Sequence, residues 1–232
     1  MNIQHKTRIL GVAFLLQFIT SFSSGTFVKP LWFVPGDMQA TMLKVAENPG
    51  FLRANILVDM LTALGVIFLG AVLFSTLKKE NEKMALTALA FYILEGALLA
   101  VSRIGIFSLL KFSQEYASAG QPETLLTFGR VALEAADFVG DTLHVLAFSL
   151  GAILFYNLLY QSKAVPNWLS LWGLITVIPV LAGSLTAIFD VHLPFIFFLP
   201  YFPFEFVIGI WVLVKGVPEV GQWNQIDLTQ PA

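Results

Sequence analysis

The sequence contains no cysteine, and only 12% of its 232 residues are charged. Without cysteine, disulfide bonds and thiolate chemistry are excluded. A soluble domain is usually about half apolar and about a quarter charged, whereas this chain is 57% hydrophobic and has a mean hydropathy of +0.78. Its polar residues are too few to cover a water-soluble core, so the composition predicts an integral membrane protein. A net charge of −2 gives no indication of a nucleic-acid partner.

Six stretches are apolar enough to cross the hydrocarbon core of a bilayer, which takes about 20 residues. They run approximately over 9–28, 54–77, 84–110, 136–161, 168–189 and 200–215. The sequence therefore predicts an all-α, polytopic six-transmembrane-helix bundle that forms a single transmembrane domain over 1–232. In the first stretch, Ser21-Phe22-Ser23 would suit signal-peptide cleavage, but the apolar run continues to Val28, which favours a retained span.

The positions of lysine and arginine predict that both termini are cytoplasmic. Six spans put both termini on one side of the membrane, and an excess of Lys and Arg close to the span ends is typical of the cytoplasmic side. The residues on that side are Lys6, Arg8, Lys78, Lys79, Lys83, Lys163 and Lys215. The opposite side carries Lys29, Lys44, Arg53, Lys111 and, if it lies outside the membrane, Arg130, spread over longer segments.

A short helix is predicted in the first outer loop, between Asp37 and Asn48. Asp37 can cap its first turn, and the proline at position 49 can end it. Its apolar residues fall on one face, so we expect the helix to lie at the membrane surface. The residues of this face are Met38, Met42 and Val45.

Several short motifs are similar to those of a known family. They are Val34-Pro35-Gly36-Asp37, the run Asn48–Arg53, the runs Leu158–Lys163 and Val165–Ser170, Trp172-Gly173-Leu174, and Glu205 before Trp211–Gly216. They resemble a bacterial six-span family, the domain of unknown function 4386 family, over nearly the whole chain. The turn between spans four and five is the most specific part. The resemblance implies a multi-pass protein of the bacterial cytoplasmic (inner) membrane surrounded by lipids, and it implies no activity.

Charged side chains inside the spans are the candidates for a functional site. Each costs roughly 2.5–3.5 kcal/mol on insertion scales, so each is a functional hypothesis by default. Counting about 20 residues from the cytoplasmic end of each span, at 1.5 Å per residue, places these charges from near mid-depth (Glu95) to the outer boundary (Asp141) and progressively beyond it (Asp137, Glu134). This distribution predicts a polar pocket that opens outward. The candidate residues are Asp59, Glu95, Arg103, Glu134, Asp137, Asp141, His144, Asp190, His192 and Glu205.

The strongest single signal lies along the fourth span and the helical pattern before its apolar run, which begins near Pro122. Five ionisable residues there are separated by four, three, four and three positions. They are Arg130, Glu134, Asp137, Asp141 and His144. On a continuous α-helix they share a stripe about 80° wide. Because such a stripe would be costly against lipid, we expect it to face the bundle, where Arg53 and Arg103 could pair with it.

Three functions remain open, and whether the protein is an enzyme remains open with them. Asp137, Asp141 and His144 could ligate Zn²⁺ or Mn²⁺, and a metal-bound water could then hydrolyse a lipid-like substrate. Alternatively, carboxylates beside arginine could bind a small ligand, such as an amine or a cation, for recognition or transport. In the third, structural or sensory, alternative, the charges only fix helix packing, with Glu95 and Glu205 as protonated, hydrogen-bonded acids.

Overall fold

The computed structural model describes the backbone of residues 3–217 and the side chains from Arg8 to Val217. The polar tail over 222–232 lies outside the described residues, as does the side chain of Lys6. Within residues 3–217 there is no β-strand, which confirms the all-α prediction. The α-helices are α1 (Ile3–Ser23), α2 (Met38–Glu47), α3 (Pro49–Leu77), α4 (Glu82–Ser118), α5 (Glu123–Asp137), α6 (His144–Ser162), α7 (Asn167–Ala187) and α8 (Tyr201–Lys215).

In the described part of the chain, six helical segments are long and apolar enough to span a membrane, as predicted. They are Arg8–Leu31, Pro49–Leu77, Glu82–Ser118, Glu123–Ser162, Asn167–Ala187 and Phe195–Lys215. The third and fourth are longer than the apolar runs that predicted them. Helix α4 has 37 residues, or about 55 Å at 1.5 Å per residue, whereas the hydrocarbon core is about 30 Å thick. The helix therefore continues through polar sequence beyond residue 110, which hydropathy alone does not reveal.

Two of the spans contain a π-helical segment. The first span changes from α to π geometry at Ser24–Val28, and the fourth does so at Phe138–Leu143, between α5 and α6. The fourth span is therefore not the continuous α-helix assumed for the charged stripe. Because a π-turn closes over five residues instead of four, the side chains after it are rotated relative to those before it.

The described residues divide between two compact units. Unit 1 takes its residues from Met1–Phe18, Gly65–Glu95 and Val145–Ala232, and unit 2 consists of Ile19–Leu64 and Gly96–His144. The prediction of a single domain over 1–232 stays a prediction.

Unit 1 has an apolar core in which aromatic rings pack against glycines. A side chain on Gly173 would meet the Phe204 ring at 2.4 Å, and one on Gly151 would meet the Tyr92 ring at 2.7 Å. Tyr92 and Phe204 are almost completely buried in this core, together with Phe155. Because glycine has no side chain, these two positions leave space between the helices that the bulky rings fill.

Unit 2 has its own core, and α2 contributes to it. As predicted, Asp37 caps α2, where its carboxylate accepts a hydrogen bond of 2.8 Å from the Ala40 amide. Met42 and Val45 are fully buried, and the Met42 sulfur lies 2.6 Å from where a Gly129 side chain would begin. The apolar face of α2 thus packs against α5, where Gly129 leaves room for the Met42 side chain. This face was predicted to lie against the membrane surface.

Candidate functional site

Unit 2 contains a cavity of about 230 Å³. Its walls come from the end of the first span, from α3 and α4, and from the π-segment of the fourth span. The ionisable residues that line it are Lys29, Asp59, Arg103, Asp137, Asp141 and His144. Other polar lining residues are Ser21, Ser24, Trp32, Asn55 and Thr62. An apolar cavity would need no such groups, so the lining marks a polar site.

One wall is built around Asp59 and Arg103. The Arg103 guanidinium donates to one Asp59 oxygen, and the Ser24 hydroxyl donates to the other. Asn55 adds an amide donor at 3.1 Å. The Asp59 and Arg103 side chains are only 9% and 13% exposed, so this ion pair is buried and satisfied by hydrogen bonds, as buried charges require.

The groups behind this ion pair are hydrogen-bonded as well. The Trp32 indole donates to the Asn55 side-chain oxygen at 3.0 Å, and Asn55 donates to Ser24 at 2.7 Å. Two further Arg103 nitrogens donate to the Ser102 hydroxyl at 3.0 and 2.8 Å. We call the ion pair and these partners the paired wall. Its donors and acceptors satisfy one another, so it needs no ligand.

The opposite set of charges is looser. The Lys29 ammonium lies 3.4 Å from an Asp137 oxygen and 3.7 Å from an Asp141 oxygen. The side chains of Lys29 and Asp137 are about one-third exposed, and that of Asp141 is 65% exposed. Close ammonium–carboxylate hydrogen bonds measure about 2.7–2.9 Å. This second set, which we call the open wall, therefore leaves two carboxylates only partly neutralised by one cation.

His144 lines the cavity next to the open wall. Its Nδ1 atom is buried and has no hydrogen-bond partner among the described residues. The Gly140 carbonyl interacts with the imidazole, but not in hydrogen-bonding geometry. A buried polar atom without a partner is costly and calls for an explanation.

Both π-segments contribute to the cavity. Ser24 and Gly25 come from the first, and Gly140 and Asp141 from the second. A side chain on Gly140 would begin 2.7 Å from an Arg103 nitrogen, so the glycine makes room for the guanidinium. Single π-turns occur frequently at functional sites, which agrees with the polar lining.

The predicted site residues separate into three groups in the structure. Those that line the cavity are Asp59, Arg103, Asp137, Asp141 and His144. Exposed residues that do not line it are Glu134, Asp190 and His192, and the proposed partners Arg53 and Arg130 are exposed too. The stripe of the fourth span is thus divided, with only its last three members at the cavity. The remaining two, Glu95 and Glu205, belong to unit 1.

In unit 1, the two acids form a tyrosine–glutamate cluster with Tyr156 and Tyr201. The tyrosine hydroxyls are 2.7 Å apart, and Tyr201 donates to Glu205 at 2.9 Å. Glu95 is 3% exposed, and its Oε2 atom has no partner within the described chain. No described lysine, arginine or histidine forms an ion pair with either acid.

The proposed metal ligands do not assemble into a shell. Among the described residues, no group of three His, Asp or Glu side chains is placed to hold a metal ion. Asp137 and Asp141 instead share Lys29. The geometry gives no support to zinc or manganese binding, which stays a prediction.

Several important residues were not among the sequence candidates. Lys29 lies one residue beyond the predicted first span, and Ser24 is uncharged, so neither stood out. Asn55 precedes Asp59 by four positions on α3, and residues at this spacing share a helix face. That spacing was a usable signal for the paired wall.

No curated protein and no solved structure matches the chain. A family model described as Domain of unknown function (DUF4386) matches residues 9–216. This range includes every residue of both walls. The chain is a multi-pass membrane protein that belongs to the DUF4386 family.

Proposed function

We propose that this membrane protein binds a small polar ligand in the cavity of unit 2. The observation that carries the proposal is the open wall. Its residues Lys29, Asp137 and Asp141 line the cavity, and their charges are only partly neutralised by their long ion pairs. Pockets for drug-sized ligands measure about 300–1,000 Å³, and one water takes about 30 Å³. A cavity of about 230 Å³ therefore suits a ligand of a few non-hydrogen atoms, or one end of a larger molecule.

A purely structural role explains only half of this site. The paired wall is buried and internally satisfied, as expected of a packing network. The open wall has long ion-pair distances and a 65% exposed Asp141 side chain, so it contributes little to packing. Its carboxylates are available to a ligand, which favours binding over the structural alternative.

Ligand-dependent stabilisation tests the proposal. A ligand that binds only the folded state at 100 times its Kd stabilises it by about 2.7 kcal/mol. We expect a panel of small polar compounds to contain one that raises the melting temperature of the purified protein but not that of the double variant Asp137→Asn/Asp141→Asn. Glu134→Gln, in the same span but exposed and away from the cavity, is the matched control. Equal shifts in all three proteins would contradict the proposal.

Elemental analysis separates ligand binding from the hydrolase alternative. Zinc or manganese near one ion per chain, lost in Asp141→Ala and in His144→Ala, would favour a metal-dependent hydrolase. We expect wild type and both variants to carry equally little metal after gentle purification.

We also propose that the cavity opens on the non-cytoplasmic side of a bacterial inner membrane, with both termini cytoplasmic. The support is the concentration of Lys and Arg near the span ends on the side of the termini. Because the chain has no cysteine, single-cysteine reporters need no background removal. With a membrane-impermeant maleimide on intact cells, we expect Ala119→Cys to react and Glu80→Cys to react only after permeabilisation. The reverse pattern would invert the topology.

A further inference from the structure

We infer that the ligand carries an ammonium group and that this group binds between Asp137 and Asp141. The inference rests on the proposed function, since it assigns a chemical class to the ligand of the same cavity. The ammonium could belong to a free small amine or to the headgroup of a lipid. Both share the chemistry that the open wall would recognise.

The charges of the cavity lining do not balance. Its carboxylates are Asp59, Asp137 and Asp141, and its permanent cations are Lys29 and Arg103. Arg103 donates to Asp59, so this pair is neutral as a unit. Among the described residues, Lys29 is the one lysine or arginine within ion-pair distance of the other two carboxylates. The open wall thus carries one excess negative charge, which a cationic ligand would neutralise.

The geometry allows one ammonium to reach both carboxylates. An Asp137 oxygen and an Asp141 oxygen lie within 3.7 Å of the same lysine nitrogen, so a second ammonium on the cavity side could contact both. An ionised carboxylate has about four acceptor positions, and Lys29 uses few of them. Three donors of an ammonium match this set of free acceptors.

The imidazole of His144 is an independent indication of a ligand. Its ring lines the cavity, and its buried Nδ1 atom has no partner in the described chain. An amine ligand with a hydroxyl or ether oxygen would bring a hydrogen-bonding group to this side of the cavity. Within the described chain, the Gly140 backbone interacts with the imidazole but leaves Nδ1 without a hydrogen bond.

An anionic ligand does not suit the site. The ε and both η nitrogens of Arg103 already donate to Asp59 or Ser102, and Lys29 is shared between two aspartates. An anion would therefore meet two carboxylates without a free cation. A metal ion is disfavoured by the lack of a three-ligand group in the described residues. The excess negative charge of the open wall therefore favours an organic ammonium.

Three probes of nearly equal size and different charge test this assignment. They are ethanolamine (cationic), ethylene glycol (neutral) and glycolate (anionic), added to the protein in phosphatidylglycerol nanodiscs, which contain no ammonium. We expect only ethanolamine to raise the melting temperature in a saturable manner. Replacing half of the lipid by phosphatidylethanolamine distinguishes the sources. If the headgroup binds, the lipid itself stabilises the protein and the response to ethanolamine falls; if a free amine binds, the response is unchanged.

Charge-removing variants locate the ammonium. We expect Asp137→Asn and Asp141→Asn each to raise the ethanolamine concentration needed for half-maximal stabilisation at least tenfold. Glu134→Gln should leave this concentration unchanged. Lys29→Met removes the competing cation and should strengthen the response severalfold. This variant keeps the test decisive if an aspartate variant does not fold.

Each outcome separates the inference from the function on which it rests. If ethylene glycol or glycolate stabilises the protein as strongly as ethanolamine does, and this stabilisation is lost in Asp141→Asn, the cavity is a ligand site but the ammonium assignment is wrong. If neither ethanolamine nor phosphatidylethanolamine stabilises the protein, the assignment is also wrong. If, in addition, no compound of any charge shifts the melting temperature in a way that depends on Asp137 or Asp141, the proposed function is also wrong.

Discussion

The cavity of unit 2 and the tyrosine–glutamate cluster of unit 1 both place acids among apolar helices, but they satisfy them differently. In the cavity, Asp59 is paired with the cation Arg103. In the cluster, Glu205 accepts a hydrogen bond from Tyr201, and no described basic residue pairs with either glutamate. A carboxylate that balances a buried cation cannot be replaced by an amide without leaving that cation alone. An acid that only accepts a hydrogen bond from a hydroxyl, as Glu205 does, can be replaced by an amide without this cost. Removing the negative charge of one acid in each region therefore distinguishes the two regions.

The largest effect is expected from removing the acid of the paired wall. Asp59→Ala leaves the buried Arg103 without its counter-ion, and breaking a buried ion pair on one side costs about 3–5 kcal/mol. Glu205→Gln in the cluster keeps the shape of the side chain and an oxygen that can accept from Tyr201, and it removes no cation's partner, so we expect a loss below about 1 kcal/mol. Thermal unfolding in the same detergent measures both. Equal losses would break the comparison.

A double variant shows whether the cost comes from the unpaired cation. Asp59→Leu together with Arg103→Met removes both charges, and replacing a buried ion pair by apolar residues is often neutral. We therefore expect the double variant to be more stable than Asp59→Leu alone. If it is less stable, the loss comes from packing and not from charge.

Much of this architecture could be predicted from the sequence, because hydropathy and capping are local. The six spans follow from apolar runs of sufficient length, and α2 follows from the capping residue Asp37 and the proline at position 49. The charged residues could be singled out from the sequence because they are unusual in apolar spans. Counting depth along a span, however, gives a position on the helix axis and not the neighbours that a side chain contacts. Glu95 and Glu205 were therefore grouped with Asp59, although they contact tyrosines or no polar partner at all.

The π-segments are the part that the sequence did not reveal. No change in residue periodicity marks Phe138–Leu143, so the stripe of the fourth span was drawn as if the helix were regular. In the structure only its last three members, Asp137, Asp141 and His144, line the cavity, and the last two lie in or directly after the wider turn. Lys29 was not among the candidates because it directly follows the predicted first span. It also follows the first π-segment, Ser24–Val28, which the sequence did not reveal either.

The next largest effect concerns the glycines of the two π-segments. A methyl group on Gly140 would begin 2.7 Å from an Arg103 nitrogen and 2.8 Å from the Ser102 oxygen. Overpacking of this kind costs typically about 1–3 kcal/mol, and here it also disturbs the paired wall. Gly140→Ala should lower the melting temperature, as measured by thermal unfolding.

Gly25 offers a matched control for this substitution. It also lies in a π-segment and lines the cavity, but no atom lies within 4 Å of where its side chain would begin. Gly25→Ala should change stability by less than about 0.5 kcal/mol. Similar losses in both variants would mean that the π-geometry itself, and not the contact with Arg103, is sensitive to a side chain.

A smaller effect is expected in the tyrosine–glutamate cluster. Since Tyr201 gives its one hydroxyl proton to Glu205, Tyr156 is the donor in the 2.7 Å contact between the two hydroxyls. Tyr156→Phe removes that bond and should cost about 0.5–1.5 kcal/mol. Tyr160→Phe, on the exposed side of the same helix, serves as the control and should be neutral. A loss as large as that of Asp59→Ala would show that the hydroxyls carry as much of the stability as the ion pair.

The smallest effect on stability is expected at the open wall, and it decides whether that wall is free to bind. Lys29 and its partner Asp137 are about one-third exposed, and exposed ion pairs contribute about 0–1 kcal/mol, less at high salt. Lys29→Met should therefore unfold near the wild-type temperature, whereas Arg103→Met should unfold well below it, since it strands the buried Asp59. If both variants lose stability alike, Lys29 is a structural cation like Arg103. The open wall would then be a second packing network, and the excess negative charge would no longer favour a cationic ligand.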